Sequence, residues 1–391
     1  MPATPAVVPA DFDRVVDRRC PPCDDSVKWN RYAGSDILPL WVADMDFAVP
    51  PAVVAALQQR VAHGVFGYAE PRAALVDAAC AWAEARYGWR IEPEWLVWLP
   101  GLVTGLNVAC RAVPGDVVTA TPVYPPFMSA PRLSGNGLAT FPLHEVDGRW
   151  TFDLAAAEAA LTAESRLFLL CHPHNPVGRA WEKAELEAVL AFCRRHDLVI
   201  CSDEIHCDLI LDGRPHLPAA MLAPDLPSIT LMAPSKTFNV PGLGCAYAVI
   251  ADAALRRAFT RAMAGIVPHV NVLGLAACEA ALSAGGEWHE ALLQVLRRNR
   301  DRVEAVVAET PGITMHHVEA TYLAWIDVRG LALSQPQRHF EACGVGLSDG
   351  ADFGTPGWLR LNFGCPWATL EAALQRLRQG ALSAGAESGS R

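Results

Sequence analysis

The sequence contains very little lysine. Of its 32 lysine and arginine residues only three are lysines, Lys28, Lys183 and Lys236. An arginine guanidinium stays protonated and cannot act as a nucleophile at neutral pH, so few side chains here could perform amine chemistry. Lys28 follows a polar stretch and Lys183 begins a charged helical segment, and we interpret both as solvated surface residues. Lys236, directly after an apolar run, is the candidate for chemistry.

Positive charge is scarce overall. The 32 basic residues face 42 acidic ones, giving a net charge of −10, and the basic residues form no cluster. This excludes nucleic acid and anionic membrane surfaces as expected partners. No stretch of about 18 uncharged apolar residues occurs, so no membrane span is expected. The 52% hydrophobic content of the 391 residues is enough for a sizeable core in two or three structural units.

The N-terminal residues lack the basic and apolar regions of a secretory signal. Twelve cysteines in a chain without such a signal indicate reduced thiols and a cytoplasmic location. Cys20 and Cys23 form a lone Cys-x-x-Cys pair with no second pair at zinc-ligand spacing. We interpret this pair as a reduced surface loop.

Short apolar runs alternate with helical spacing through the middle of the chain. Helices are predicted at 52–63 and 71–87, closed by Gly64 and Gly88, and at 102–113 and 181–196. Strands are predicted at 117–121, 167–171, 198–202, 229–233 and 245–250. Strands of this length alternating with helices favour an α/β fold with a mostly parallel sheet sandwiched by helices.

The composition of the sequence changes near residue 286, and a long helix rich in Arg and Glu is predicted over 287–309. Strand-like runs follow at 321–328 and 358–363. We therefore expect an N-terminal arm (1–50) packed with a small α+β domain (286–391), and a large ligand-binding domain (51–285). The last residues, 382–391, are expected to form a disordered tail.

Polar residues follow three successive strands of the predicted sheet. Asn175 lies in the turn after 167–171, Asp203 follows 198–202, and Lys236 follows 229–233. Ligands of open parallel sheets bind beyond the carboxyl ends of the strands, so these three side chains are expected at one rim. Burial disfavours the ammonium form of a lysine and makes its amine available for a Schiff base. A carboxylate could keep a pyridine nitrogen protonated and an amide could bind a ring hydroxyl, which together indicate pyridoxal 5′-phosphate (PLP).

A metal site is the alternative chemistry at the same rim. Several residues there are possible ligands: His172, His174, Asp203, Glu204 and His206. Their patterns are weak, and a metal would leave Lys236 without a role. No metal is therefore expected.

Seven strings across the chain resemble those of the fold-type I PLP-dependent enzymes of the class I/II aminotransferase superfamily. They are WVADMDF (41–47), GVFGY (64–68), TPVYPPF (121–127), HPHNPVG (172–178), SDEIH (202–206), APSKTFN (233–239) and RLNFGCP (360–366). The first and fifth strings together resemble more narrowly the cystathionine β-lyase (MalY/PatB) branch. The resemblance extends over residues 27–380 and implies the PLP-dependent transferase fold.

The resemblance also implies roles for residues around the cofactor. Lys236 would bind PLP covalently and move the Cα proton, and Asp203 would pair with the pyridine nitrogen. Tyr124 would stack on the ring, Asn175 would bind the ring hydroxyl, and His206 stands where many relatives have a tyrosine near the ring oxygen.

The cofactor phosphate would be bound by the first amides of the helix that starts at 102 and by one hydroxyl. These groups belong to Leu102, Val103 and Ser235. In the family the residue matching Tyr68 reaches the phosphate of the neighbouring subunit's cofactor, which implies a homodimer. Arg360 would form a bidentate ion pair with the substrate α-carboxylate, and the backbone at Ala43 would complete that pocket.

These expectations define a carbon–sulfur β-lyase that cleaves cystathionine or another S-substituted cysteine. The closest alternative is an aminotransferase, because the same lysine and aspartate serve both reactions; an oxidative or decarboxylating PLP enzyme would also share them. From a different class, a catalytically silent regulator that binds a transcription factor would retain the cofactor without turnover.

Overall fold

The computed structural model describes residues 8–19 and 25–388, and side chains as far as residue 385. The chain divides into two compact units. The larger unit comprises Val49–Asn175 and Arg179–Gly286, and the smaller unit comprises Pro176–Gly178 with the described residues before Val49 and after Gly286. The pair Cys20 and Cys23 lies outside the described residues.

An eight-stranded sheet forms the centre of the larger unit. Five neighbouring strands run parallel, and the remaining three, two at one edge and one at the other, pair antiparallel with their neighbours. In spatial order the strands are Leu96–Leu99, Ala246–Val249, Ser228–Met232, Val199–Asp203, Ser165–Cys171, Asp116–Thr121, Leu138–Val146 and Arg149–Phe152. The prediction of a mostly parallel sheet is confirmed.

Helices pack on both faces of this sheet because alternate residues of its strands point to opposite sides. Leu167 and Leu169 belong to the same hydrophobic cluster as helix Leu102–Ala112. Phe168, between them, meets Phe192 of helix Lys183–Arg195 at 6.2 Å between ring centroids. The helices of this unit are Pro51–His63, Ala73–Tyr87, Leu102–Ala112, Pro126–Leu133, Leu154–Ala160, Lys183–Arg195, Ala219–Leu222, Pro234–Thr237, Ala253–Met263 and Val272–Ala284.

The first two of these helices end as predicted. Gly64 and Gly88 are their C-caps, with φ of +76° and +65°. Glycine adopts this left-handed conformation without steric penalty, which explains why both helices stop there.

Three strands of the eight-stranded sheet were absent from the sequence-based prediction. Two of them, Leu138–Val146 and Arg149–Phe152, form a hairpin. Its turn is Asp147–Gly148, with φ of +50° and +74°. An Asp-Gly pair between strands is a strong hairpin signal, so this element was predictable from the sequence.

The smaller unit contains a four-stranded antiparallel sheet. In spatial order its strands are Thr314–Met315, Leu323–Asp327, Trp358–Asn362 and Ser348–Asp349. Near the N-terminus, Leu38–Pro39 pairs in parallel with Val345–Gly346. The helices of this unit are Val27–Asn30, Gly286–Ala308, Pro336–Ala342 and Trp367–Ser388.

The C-terminal helix corrects one expectation. Residues 382–388, expected to belong to a disordered tail, continue helix Trp367–Ser388. Ala381 and Ala384 are buried on this helix, at 1% and 3% exposure. Packing of these small side chains therefore extends the helix beyond the point where the polar sequence suggested an end.

The cysteines of the described chain are free, and most are buried. Burial raises the pKa of the Cys110 and Cys365 thiols to about 12. No helix among the described residues has both the length and the apolar character needed to cross a membrane.

Candidate active site

The central strands of the larger unit end side by side. Cys171 is the register partner of Asp203, and Asp203 is the partner of Leu231 on the next strand. The segments that follow these strands therefore leave the sheet at the same edge, as predicted. Asp203 is the last residue of its strand, and Asn175 and Lys236 lie in the segments that follow theirs.

Asp203 is a buried acid at this edge, with 5% of its surface exposed. Its Oδ1 accepts a hydrogen bond of 3.1 Å from the Ile205 amide. Burial raises the pKa of Asp203 to about 7, although the Ile205 amide and the charge of Lys236 both favour the ionised form. A buried carboxyl with this balance gains stability as a carboxylate when another cation approaches, and a protonated pyridine nitrogen is such a cation.

Lys236 lies in the one-turn helix Pro234–Thr237, directly after strand Ser228–Met232. Its side chain is partly buried. The positive charge of Lys236 lowers the pKa of Asp203, so the amine lies within electrostatic range of that carboxyl group. The amine and the acid thus belong to one site in the larger unit.

Three further predicted residues occupy the larger unit near the ends of its strands. Asn175 and His206 are buried, at 5% and 2% exposure. The backbone N–H of Asn175 donates a hydrogen bond of 3.4 Å to the Cys171 sulfur, which holds the turn against the strand that precedes it. Tyr124 is partly buried against the hydrophobic cluster of this unit.

The start of helix Leu102–Ala112 has the properties of an anion site. Gly101 precedes it, and no side chain caps its first turn. The first amides of a helix lack partners within the helix and favour negative charge. Leu102 is buried, whereas Val103 is 46% exposed. Ser235, the hydroxyl expected to assist these amides, is partly buried.

Tyr68 does not pack against the rest of the described chain. Its side chain is fully exposed, and Val65 and Phe66 of the same segment are also exposed. A cluster of exposed apolar side chains is typical of a surface that contacts another molecule.

The residues considered as metal ligands have other hydrogen-bond partners. Glu204 accepts from His216 Nε2 at 2.6 Å and from Ser202 Oγ at 2.9 Å, and all three residues are buried. His172 Nε2 and His174 Nε2 lie 3.1 and 2.7 Å from backbone carbonyl oxygens. Within residues 8–19 and 25–388 no group of three or more His, Cys, Asp or Glu side chains could hold a metal ion.

Arg360 is buried in the smaller unit, with 5% exposure. One of its terminal nitrogens donates to the Trp41 carbonyl oxygen at 2.9 Å and reaches Ser348 Oγ at 3.4 Å. The guanidinium also lies 4.7 Å from the centre of the Phe353 ring. These contacts orient the side chain, so Arg360 is a fixed cation rather than a mobile surface residue.

The segment around Ala43 is held by hydrogen bonds to its backbone carbonyl oxygens. The Tyr322 hydroxyl donates to the Ala43 carbonyl at 2.9 Å. Asn362 Nδ2 donates to the carbonyl oxygens of Val42 and Asp44, both at 2.7 Å. Arg360 and Asn362 lie on one strand, so one strand orients both the predicted carboxylate-binding arginine and the backbone at Ala43.

Lys28 corrects the expectation of a solvated surface lysine. Its side chain is 1% exposed and donates to Asp46 Oδ2 at 2.7 Å and to the Asp44 carbonyl at 3.1 Å. Arg18 donates to both aspartates, at 2.8 and 2.9 Å, and Trp29 Nε1 donates to Asp46 at 3.0 Å. Two acidic residues inside the apolar string 41–47 were the signal that buried cations should be nearby.

The chain belongs to the aminotransferase class I and II family, whose sequence profile matches residues 35–377. Cystathionine β-lyase PatB of Bacillus subtilis is 39% identical to it over 370 residues, covering 90% of this chain and 96% of PatB. The predicted family is thus confirmed.

Solved structures agree with this assignment. The crystal structure of OvoB has a TM-score of 0.92 and 47% identity, covering 95% of this chain and 99% of OvoB. Cystalysin from Treponema denticola, whose crystal structure contains a pyridoxal 5′-phosphate cofactor, has a TM-score of 0.90 and 30% identity. That match covers 95% of this chain and 98% of cystalysin. The PLP-dependent transferase fold is therefore confirmed.

Proposed function

We propose that this chain is a PLP-dependent carbon–sulfur β-lyase. An S-substituted cysteine and water would give a thiol, pyruvate and ammonia. The observation that carries the proposal is that Asp203 and Lys236 lie at one sheet edge within electrostatic range of each other, in a chain related over most of its length to PatB. The name of PatB supports a lyase rather than an aminotransferase, since cystathionine is an S-substituted cysteine.

The residues at the sheet edge fit PLP in chemical type. Asp203 is a buried acid that a pyridine N–H would stabilise in its ionised form, and Asn175 offers an amide to the ring hydroxyl. Tyr124 offers a flat apolar face to the ring, and His206 offers a ring nitrogen to the ring oxygen. The uncapped amides at Leu102 and Val103, together with the Ser235 hydroxyl, offer donors to the phosphate.

When bound, PLP would supply an aldehyde for the substrate amine and a ring able to take up the electrons left on Cα after its proton is removed. Lys236, displaced by that amine, is the base that takes the Cα proton. Asp203 holds the proton on the pyridine nitrogen, which makes removal of the Cα proton easier. Elimination of the thiol from Cβ and hydrolysis of the remainder would give the pyruvate and ammonia that the overall reaction requires.

The substrate α-carboxylate is assigned to Arg360 and the backbone at Ala43. A guanidinium binds a carboxylate through two parallel hydrogen bonds, which a lysine ammonium does not reproduce. The contacts of Arg360 with Trp41 and Phe353 support this role because they hold the side chain in one orientation.

The active form is a homodimer in which Tyr68 of each subunit contacts the cofactor phosphate of the other. The full exposure of Tyr68 and of its apolar neighbours supports this assembly. We place the enzyme in the cytoplasm, and the free cysteines of the described chain support a reducing compartment.

The proposal is tested with purified protein, PLP and an S-alkyl cysteine, without any oxo acid. We expect equal amounts of thiol and pyruvate, and loss of both in Lys236→Ala. Lys183→Ala is the matched control, because Lys183 is 65% exposed and pairs with Glu187 on its own helix. Product formation that requires an oxo acid would identify an aminotransferase instead. Retained cofactor absorbance without turnover would identify a silent regulator.

A further inference from the structure

Asp208 is a buried carboxylate to which the proposed reaction assigns no role. It lies in the turn that follows Asp203 and is 8% exposed. Its Oδ1 accepts a hydrogen bond of 2.6 Å from the Tyr87 hydroxyl, and Trp82 Nε1 lies 3.1 and 3.2 Å from its two oxygens. A buried carboxylate requires such donors to compensate for lost hydration.

The second oxygen of Asp208 reaches the segment that carries the lysine. Thr237 Oγ1 donates to Asp208 Oδ2 at 3.2 Å, and Thr237 is fully buried. Thr237 is the residue directly after Lys236. Asp208 therefore contacts the lysine helix through Thr237 and lies in the turn that follows the strand ending at Asp203.

The lysine helix needs contacts of this kind. Pro234–Thr237 is a single turn of four residues without a side-chain N-cap. A helix this short is not stable by its own hydrogen bonds, so tertiary contacts determine its position. Two of these contacts involve Asp208 and its neighbours: Thr237 binds Asp208, and the ring of Phe238, the next residue, meets that of Trp82 at 5.6 Å.

The donors to Asp208 are firmly held. Tyr87 and Trp82 lie on helix Ala73–Tyr87, at 7% and 9% exposure. Burial and the negative charge of Asp208 keep the pKa of Tyr87 well above its ordinary value, so its hydroxyl remains a donor. The carboxylate is thus fixed on one side by a long helix and is available to fix the short helix on the other.

We propose that Asp208 is a positioning residue that sets the Lys236 helix relative to Asp203 through the Thr237 hydroxyl. The inference deepens the proposed function and rests on it. Asp203 ends its strand and Asp208 lies in the turn that follows, so one short segment carries both the group assigned to the pyridine nitrogen and the carboxylate that contacts the helix presenting the amine. Loss of the Thr237 hydrogen bond should misplace the amine without removing any group from the site.

The test compares Thr237→Val, which removes the hydroxyl at nearly constant shape, with Thr237→Ser, which keeps it. Amide hydrogen exchange of residues 234–240 is measured in cofactor-free and PLP-loaded protein. We expect about tenfold faster exchange in Thr237→Val, as for the loss of one hydrogen bond to a charged group, and restoration in Thr237→Ser. Asp208→Asn should also speed up the amide hydrogen exchange of residues 234–240. Thr260→Val is the control, because the Thr260 hydroxyl is exposed and bonds within its own helix.

Two readouts on the PLP-loaded variants separate positioning from a merely structural contact. The pH midpoint of the visible absorbance of bound PLP should shift in Thr237→Val and return in Thr237→Ser. With an S-alkyl cysteine, kcat should fall by about tenfold or more while KM changes little, since misplacement acts on the reacting geometry.

Unchanged exchange in Thr237→Val would overturn the proposed anchor. Faster exchange with an unchanged pH midpoint and kcat would overturn the positioning role. The exchange measurement in cofactor-free protein needs no lyase activity. Faster exchange there in a protein that releases no thiol would therefore support the anchor while the proposed function failed.

Discussion

The side-chain nitrogen of Lys28 lies 2.7 Å from Oδ2 of Asp46, and the two side chains are 1% and 7% exposed. Asp46 also receives hydrogen bonds from Arg18 and Trp29. The pair fixes the segment that contains Ala43, whose backbone is assigned to substrate binding. A buried ion pair with this many donors holds the segment in place, and removal of either charge leaves the other without its nearest buried counter-charge.

Lys28→Met should therefore destabilise the protein, because Asp46 would lose its nearest buried cation. We expect a loss of about 3 kcal/mol in the free energy of unfolding, the range for a broken buried ion pair. Urea denaturation measures the change. Lys183→Met is the control and should stay within about 0.5 kcal/mol, since its ion pair with Glu187 is exposed. Equal effects of the two substitutions would contradict a structural role for Lys28.

Asp203 should make the stability of cofactor-free protein depend on pH. Its pKa is about 7 in the folded chain, against an ordinary value of 3.8, so the folded chain holds the proton that the unfolded chain loses. The free energy of unfolding should then fall as pH rises from about 4 to about 7, by at most about 1.4 kcal/mol per pH unit.

Denaturation of wild type and Asp203→Asn across this range measures the effect as a difference, because asparagine does not titrate. With PLP bound, a cationic ring nitrogen would stabilise the Asp203 carboxylate, and the difference should shrink. Asp77→Asn, an exposed position, serves as control. If the difference in the free energy of unfolding between wild type and Asp203→Asn did not change with pH, the predicted rise in the pKa of Asp203 would be wrong.

Arg360→Lys should weaken substrate binding while leaving the cofactor in place. The ammonium keeps the charge but loses the second parallel hydrogen bond to the substrate carboxylate. We expect KM for an S-alkyl cysteine to rise by about 10-fold to 100-fold, with unchanged visible absorbance of bound PLP. Arg329→Lys, at an exposed position after the neighbouring strand, is the control. A rise in KM shared by both variants would argue against the carboxylate assignment.

The proposed contribution of Tyr68 to the active site of the other subunit can be tested with mixed dimers. Tyr68→Ala and Lys236→Ala should each have low lyase activity alone. If Tyr68 serves the partner's site, a mixed dimer of the two variants contains one intact site. Random mixing should then restore about a quarter of the wild-type activity, because half of the dimers are mixed. Activity equal to the mean of the two separate variants would contradict a contribution across the interface.

The sequence predicted the central sheet because its parallel strands are buried on both faces and read as continuous apolar runs. The hairpin Leu138–Val146 with Arg149–Phe152 has mixed polarity, and its strands were missed for that reason. The C-terminal helix was also underestimated. Its later turns are small and polar in sequence, and only tertiary packing of Ala381 and Ala384 reveals them as buried.

At the candidate site, sequence reasoning could place Asn175, Asp203 and Lys236 at one edge because strand order and direction follow from the alternating pattern. It could not find the contact between Asp208 and Thr237, since nothing local marks an aspartate 29 positions before a threonine as its partner. Lys28 was misread for the same reason. Its partner Asp46 is 18 positions away, and the burial of both depends on the folded arrangement of the smaller unit.

The free, buried cysteines have a consequence for an enzyme whose proposed product is a thiol. Thiolates attack disulfides and electrophiles, whereas protonated thiols do not. Burial keeps the Cys110 and Cys365 thiols protonated near neutral pH and also shields them from contact with small molecules. Such side chains resist alkylating reagents and do not form mixed disulfides with sulfur compounds in solution. These two buried thiols therefore stay chemically inactive while the proposed reaction releases sulfur from a substrate.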